Sequence, residues 1–267
     1  MEKKLTDVHT HLEQLGDEER ERVLSRARNA GLTWIVTSGM DLETSSRAVH
    51  LAQDHKDVLA MVGVHPWNAA SAVKSDLREG IESIARGETV SGIGETGLDF
   101  IDNVFSGVTY HDKEDLKHNQ EEAFRWQFSL AKNLRLPLLV HSRGANKRLI
   151  SILREEGGHV RKTAVHNFEG TMKEAHQLAD MGIYLSFGTA VTYPESGRVL
   201  QVARNIPLDC ILTETDSPYM PMYRSQSEKN EPANVMSVVR ILAQARSMDP
   251  DELADALYRN FLSFFSL

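Results

Sequence analysis

Cysteine is almost missing from this sequence. Cys210 stands alone, so no internal disulfide can form, no thiolate cluster can build a soft metal site, and the chain suits a reducing compartment. Within Leu208-Asp209-Cys210-Ile211-Leu212 it reads as a small buried apolar residue. No apolar run approaches the roughly 20 residues of a membrane span. Lys3 and Lys4 are followed by no hydrophobic stretch, and the expectation is a cytoplasmic chain without a membrane partner. An excess of positive charge is lacking too: 30 basic against 38 acidic residues give a formal net charge of −8. That balance argues against a broad electrostatic grip on nucleic acid, though a local basic or metal-lined cleft remains open. Low-complexity segments and linker-like runs are absent, so 267 residues, 41% of them hydrophobic, are expected to form a single domain, 1–267, with one large core.

What is present begins near the N-terminus. In Thr6-Asp7-Val8-His9-Thr10-His11 a short apolar run starting at Leu5 ends in two histidines spaced two apart. Alternate residues of a strand share a face, so both imidazoles can reach one ion. The stretch Asp17 to Ala30 is charged and rich in helix formers, with Val23, Leu24 and Ala27 as an inner stripe, and Gly31 stops it. Thr33 to Thr37 is β-branched and aromatic, a buried strand, followed by a helix from Ser45 to Asp54. The alternation continues with strands Val58 to Val64, Thr89 to Ile93, Leu136 to Val140, Thr163 to Val165, Ile183 to Phe187 and Cys210 to Thr213. Between them fall helices Asp76 to Arg86, His118 to Leu134, Ala145 to Glu156, Met172 to Met181 and Glu195 to Asn205, and a last helical region covers Val235 to Phe261. Eight strands alternating with helices imply an α/β architecture, a parallel sheet closed into a (β/α)8 TIM barrel.

The unusual polar residues fall at strand ends. His9 and His11 close the first strand, His65 the third, Glu95 the fourth, His141 the fifth and His166 the sixth, while Asp216 follows the eighth. In a parallel barrel all those ends share one rim, the face where such enzymes place their chemistry. His50, His55, His111, His118, His159 and His176 fall on helices or loops and read as surface or packing residues. Imidazoles and carboxylates suit zinc, manganese or magnesium. The set holds more ligands than one catalytic ion normally takes, so two ions sharing a carboxylate is the natural count. Two such ions acidify a bridging water and clamp the oxygens of a phosphoester or carbonyl, and the expected reaction is hydrolysis.

Ordered motifs then carry a resemblance. His9-Thr10-His11-Leu12, Gly63-Val64-His65-Pro66, Gly94-Glu95-Thr96-Gly97-Leu98-Asp99, His141-Ser142-Arg143-Gly144-Ala145, Val165-His166-Asn167-Phe168-Glu169-Gly170, Glu214-Thr215-Asp216-Ser217-Pro218-Tyr219 and Asn230-Glu231-Pro232 stand in that order. Together they resemble the signatures of the TatD family of metal-dependent deoxyribonucleases, within the amidohydrolase-type barrels, over about His9 to Phe264. The resemblance implies that His9, His11 and Asp216 hold one divalent ion, that His141 and His166 hold the other, and that Glu95 bridges them. It also implies that Asp216 orients the attacking water and takes its proton. Some related barrels bridge with a carbamylated lysine, and no lysine lies in Thr89 to Asp99. His65 is placed to donate to a phosphate oxygen, and Arg143 either steadies a phosphate or pairs with a rim carboxylate such as Glu95 or Asp99. Glu214 and Asp99 are expected to orient ligand histidines, and Glu231 to anchor a loop.

Departures from the pattern bear on the substrate. Trp67 follows His65-Pro66 where many relatives have another histidine; it offers a flat ring for a base, although a packed rim residue is the simpler reading. Lys229 replaces a usual arginine, Asn167 and Glu169 replace small residues, and Ile101 to Lys117, with Tyr110 and His111, looks long enough to cover the cleft. The leading expectation is a metal-dependent phosphodiesterase, an exonuclease trimming DNA; the alternative is a hydrolase of a small amide, lactone or phosphoester on the same barrel. A third reading, from another class, is a metal-stabilised barrel that binds nucleotides or a partner without turnover.

Overall fold

The computed structural model describes residues 4–73, 75–101, 110–157, 162–224 and 229–267. Eight strands, β1 (Leu5–Thr10), β2 (Leu32–Ser38), β3 (Val58–Val62), β4 (Val90–Asp99), β5 (Leu138–Arg143), β6 (Thr163–Val165), β7 (Tyr184–Phe187) and β8 (Ile211–Thr213), lie side by side in chain order. Each neighbouring pair is parallel. Helices α1 (Asp17–Asn29), α2 (Leu42–Asp54), α3 (Ser75–Ala85), α4 (Tyr110–Leu134), α5 (Asn146–Glu155), α6 (Met172–Ala179) and α7 (Gly197–Asn205) connect them, and α8 (Val235–Arg246) and α9 (Pro250–Phe265) follow β8. The ring is drawn shut at its C-terminal rim by a parallel bridge between Thr10 and Ser217. There the Asp216 N–H donates to His9 O at 3.0 Å and the His11 N–H to Ser217 O at 2.7 Å. The fold is the TIM barrel expected from the strand–helix alternation.

Local chemistry explains where helices start. Asp41 caps α2, its carboxylate accepting the Thr44 N–H, while the Thr44 hydroxyl accepts the Asp41 N–H in return. Thr171 and Glu174 make the same reciprocal box at α6, and Asp249 with Pro250 opens α9. The helices bury Leu24, Leu51, Ile81, Phe124, Phe128 and Leu149 against the outer faces of the strands. A second cluster joins Val8, Val36, Met61, Leu139, Ala164 and Leu212 to Phe261, Phe264 and Phe265 of α9. Residues from six strands around a ring can meet only inside it, so α9 stoppers the barrel. Phe265 lines a small cavity together with Leu59, Val90 and Pro137 near the strand starts, which puts the stopper at the end opposite the rim. Truncating the fully buried Phe264 to alanine should cost about 3–5 kcal/mol of stability in denaturant unfolding.

Several boundaries differ from the sequence reading. β4 runs to Asp99, so Glu95 sits inside the strand instead of closing it, and β3 stops at Val62, which leaves His65 on the loop beyond. The Gly-rich run Gly92 to Gly97 carries no hydrophobic alternation, and extended backbone there is set by pairing with β5. The terminal helical region is two helices, broken where Ser247 adopts the left-handed conformation at φ 55°. Residues 110–117 form the first turns of α4, while 102–109, the rest of the presumed cleft cover, lie outside the described residues, as does His159. Cys210 is partly buried and not a core residue. Among the described residues no helix is long and apolar enough to cross a membrane.

Candidate metal centre

The barrel rim brings the seven residues predicted from strand ends into one buried cluster. Glu95 stands at its middle with its two oxygens facing different ways. Oε1 lies 2.7 Å from His166 Nε2, 2.8 Å from His141 Nδ1 and 3.5 Å from His65 Nε2. Oε2 lies 3.4 Å from His11 Nε2 and 3.5 Å from His9 Nε2. Asp216 completes the second group, its Oδ1 3.4 Å from His9 Nε2 and 3.6 Å from His11 Nε2. Among the described residues three ligand-capable triplets emerge: His9, His11 and Asp216; His9, Glu95 and His166; His65, Glu95 and His141.

Backbone pairing fixes these side chains. The Glu95 N–H donates to Gly39 O, the His65 N–H to Met40 O, and the His166 N–H to Val140 O. Gly97, at φ +143°, lets β4 lie against His141, since a Cβ there would stand 2.0 Å from the His141 carbonyl oxygen. Asp216 itself has φ 60°, a left-handed turn that aims its carboxylate back at β1. From α4, Gln127 accepts the Val64 N–H at 2.7 Å and donates to Val64 O at 2.9 Å, anchoring the loop that carries His65. Gln120, two helical turns earlier, grips the Asp99 backbone in the same way.

A further layer orients the histidines. Glu214, fully buried, places Oε1 3.1 Å from His166 Nδ1. Asp99 Oδ2 is 3.2 Å from His141 Nε2 and accepts from Trp67 Nε1 at 2.9 Å and Arg143 Nη2 at 2.6 Å. Arg143 is thus paired with Asp99, one of the two carboxylates anticipated. His9 Nδ1 meets Ser38 Oγ at 3.2 Å, and His11 Nδ1 meets Ser38 O at 3.0 Å. Glu231 anchors its loop to Arg26 Nε at 2.6 Å. Trp67 is not packed: it is 56% exposed at the mouth, its ring edge against His65 and the Arg143 guanidinium over its face. Asp7 had no role in the sequence reading. It accepts from the Thr215 N–H and hydroxyl at 3.0 and 2.6 Å and lies fully buried, and burial pushes its carboxyl up to about 8. Its spacing, two before His9 and four before His11, was the available signal.

The electrostatics favour added positive charge. Burial alone would raise the Glu95 carboxyl, but His65, His166 and His9 outweigh it and hold it well below the ordinary carboxylate range. Burial likewise opposes charge on His11 and His166, yet Glu13 and Glu95 for the first, and Glu95 and Glu214 for the second, lift both well above the usual imidazole value. Protons therefore gather where a divalent cation would displace them. His9 Nε2, buried and without a hydrogen-bond partner, is aimed into the same space, so the donor set fits a metal. His65 differs: burial drives it down to about 4, and its Nδ1 accepts the Trp67 N–H at 3.2 Å, leaving a neutral ring with its Nε2 proton toward Glu95.

The sequence profile of the family described as TatD related DNase matches residues 6–266. The chain belongs to the TatD family. It is 33% identical over 264 residues to the uncharacterized metal-dependent hydrolase YabD of Bacillus subtilis, covering 98% of this chain and 99% of that one. It is 31% identical over 253 residues to the uncharacterized metal-dependent hydrolase TatD of Mycobacterium tuberculosis, covering 94% and 93%. The crystal structure of YjjV, a TatD homologue from Escherichia coli K12, superposes with a TM-score of 0.87 at 28% identity, covering 98% of both chains. As a TatD-family protein the chain is a metal-dependent hydrolase, and its rim holds the histidines and carboxylates such an enzyme needs. Glu214→Gln should weaken metal affinity about 10- to 100-fold in a titration, because the carboxylate that orients His166 is lost.

Proposed function

We propose that this TatD-family chain hydrolyses phosphodiester bonds in DNA, as an exonuclease, at a dinuclear centre. The carrying observation is the division of Glu95: one oxygen faces His141 and His166, the other His9 and His11. On this reading His9, His11 and Asp216 would hold one divalent ion and His141 and His166 another, with Glu95 shared between the two sets; magnesium, manganese and zinc all suit the mixed donors. Two bound divalent ions lower the pKa of water and neutralise the phosphate oxygens.

The remaining work belongs to side chains. Asp216, with one edge open to the cavity, orients the water and takes its proton. His65, neutral and carrying its proton on Nε2, donates to a phosphate oxygen. Trp67 offers its exposed face to a base, and Arg143, held by Asp99, lends positive charge to the same wall. Attack on a strand end needs few phosphate contacts, which reconciles DNA as substrate with a net charge of −8. The test is hydrolysis of end-labelled single-stranded DNA after loading with each metal in turn, read by stepwise shortening. Metal-loaded protein that leaves DNA intact while hydrolysing lactones or amides would overturn the nuclease reading.

A further inference from the structure

The cavity above the centre, about 800 Å³, has a mixed lining. Met40, Trp67, Phe100 and Ile101, from the loops after β2, β3 and β4, supply its apolar part. Arg143, over the Trp67 ring, adjoins that part, and Lys147, Arg148 and Arg198 line the cavity as well. Two of those cations are committed: Arg143 to Asp99, and Arg148 to Glu121 and Glu155. Among the described residues no carboxylate pairs with Lys147 or Arg198. Lys147 is exposed on the first turn of α5, and Arg198, exposed on the first turn of α7, donates Nη2 only to the Glu169 carbonyl oxygen at 3.0 Å.

The loops that carry them touch. Gly170 lies so near Asn146, the neighbour of Lys147, that a Cβ on it would stand 2.6 Å from Asn146 Nδ2. Glu169, next to Gly170, receives the Arg198 bond. Two uncommitted cations therefore flank the Glu169–Gly170 turn on one wall of the cavity that also exposes Glu95 and Asp216. A nucleotide chain crossing the centre presents both chemistries, a flat apolar base and a further phosphate beside the reacting one.

We propose that Lys147 and Arg198 bind the phosphate adjacent to the scissile one and so select oligonucleotides over substrates with a single phosphodiester. The proposal rests on reading the centre as a phosphodiesterase. Because two cations contribute, affinity for a longer strand falls with salt, and each removed contact reduces that dependence. Glu169, whose carboxylate lines the same wall, opposes the phosphate, so removing its charge works in the other direction.

The experiment compares kcat/KM on a thymidine dinucleotide, with one phosphate, and a tetranucleotide, with three. The Lys147→Ala/Arg198→Ala double variant should lose roughly tenfold or more on the tetranucleotide and stay unchanged on the dinucleotide. The slope of log affinity against log salt should become shallower by about 0.7 for the one single-strand phosphate no longer neutralised. Lys147→Arg should keep the preference for length, and Glu169→Gln should strengthen it. Equal losses on both substrates, or no loss on either, would overturn the subsite while leaving the nuclease reading intact. If the unaltered protein cuts neither substrate, the nuclease reading falls, and fluorescence anisotropy of a labelled tetranucleotide decides the subsite: weaker binding by the double variant supports it, equal binding overturns it.

Discussion

Glu95→Ala is expected to reduce the proposed phosphodiester hydrolysis by at least about a thousandfold. The reason lies in its position and not only its charge. Its carboxylate touches both imidazole sets, with Oε1 2.7 Å from His166 and Oε2 3.4 Å from His11, so its loss separates the two halves of the centre and leaves their histidines facing one another. His141 Nδ1 and His166 Nε2 lie 3.0 Å apart, within hydrogen-bond distance, and without Glu95 a cation there loses the carboxylate that faces both rings. Metal analysis of the purified variant should show fewer bound equivalents than the unaltered protein, while thermal melting of the metal-free proteins stays close. A variant that keeps its full metal content and a rate within about tenfold of the original would show that Glu95 bridges nothing.

Asp216→Asn should lower kcat by about 10²- to 10⁴-fold with little change in KM, since the amide keeps the shape but cannot accept a proton from water. Asparagine also tolerates the left-handed backbone found here, φ 60°, so the turn and its N–H bond to His9 O should survive. Alanine at the same position would add a backbone penalty of about 1–2 kcal/mol and blur the two effects. Steady-state kinetics beside a crystal structure or melting curve checks the outcome. An unchanged kcat in a metal-loaded Asp216→Asn protein would remove Asp216 from the role of base and leave it as a metal ligand alone.

Much of the site was legible because a barrel converts sequence position into place. His9, His11, His141 and His166 follow short β-branched or apolar runs, and parallel strands of similar length deliver all their ends to one rim. Glu95 was legible as a member of the cluster but not as an interior strand residue, because Gly92, Gly94 and Gly97 erase the alternation that marks a strand. The orienting residues split the same way. Glu214 and Asp99 stand in motifs and were readable, whereas Gln120 and Gln127 lie on α4, and the sequence assigns neither of them a role at the rim. Only helix packing turns them toward Asp99 and Val64. The exposure of Trp67 was likewise invisible in sequence, since it depends on how the loop after β3 leaves the barrel.

The amino-acid order by itself determined the barrel and the rim cluster, because strand–helix alternation and the polar residues at strand ends are properties of spacing along the chain, and its ordered motifs resemble the TatD family to which the chain belongs. Tertiary structure alone decided which oxygen of Glu95 faces which histidines, that Arg143 is tied to Asp99, and that Lys147 and Arg198 line the same cavity with no carboxylate paired to them among the described residues. Those are distances between residues far apart in sequence, set by pairing, close glycine contacts and burial, and electrostatic partnership follows distance in space.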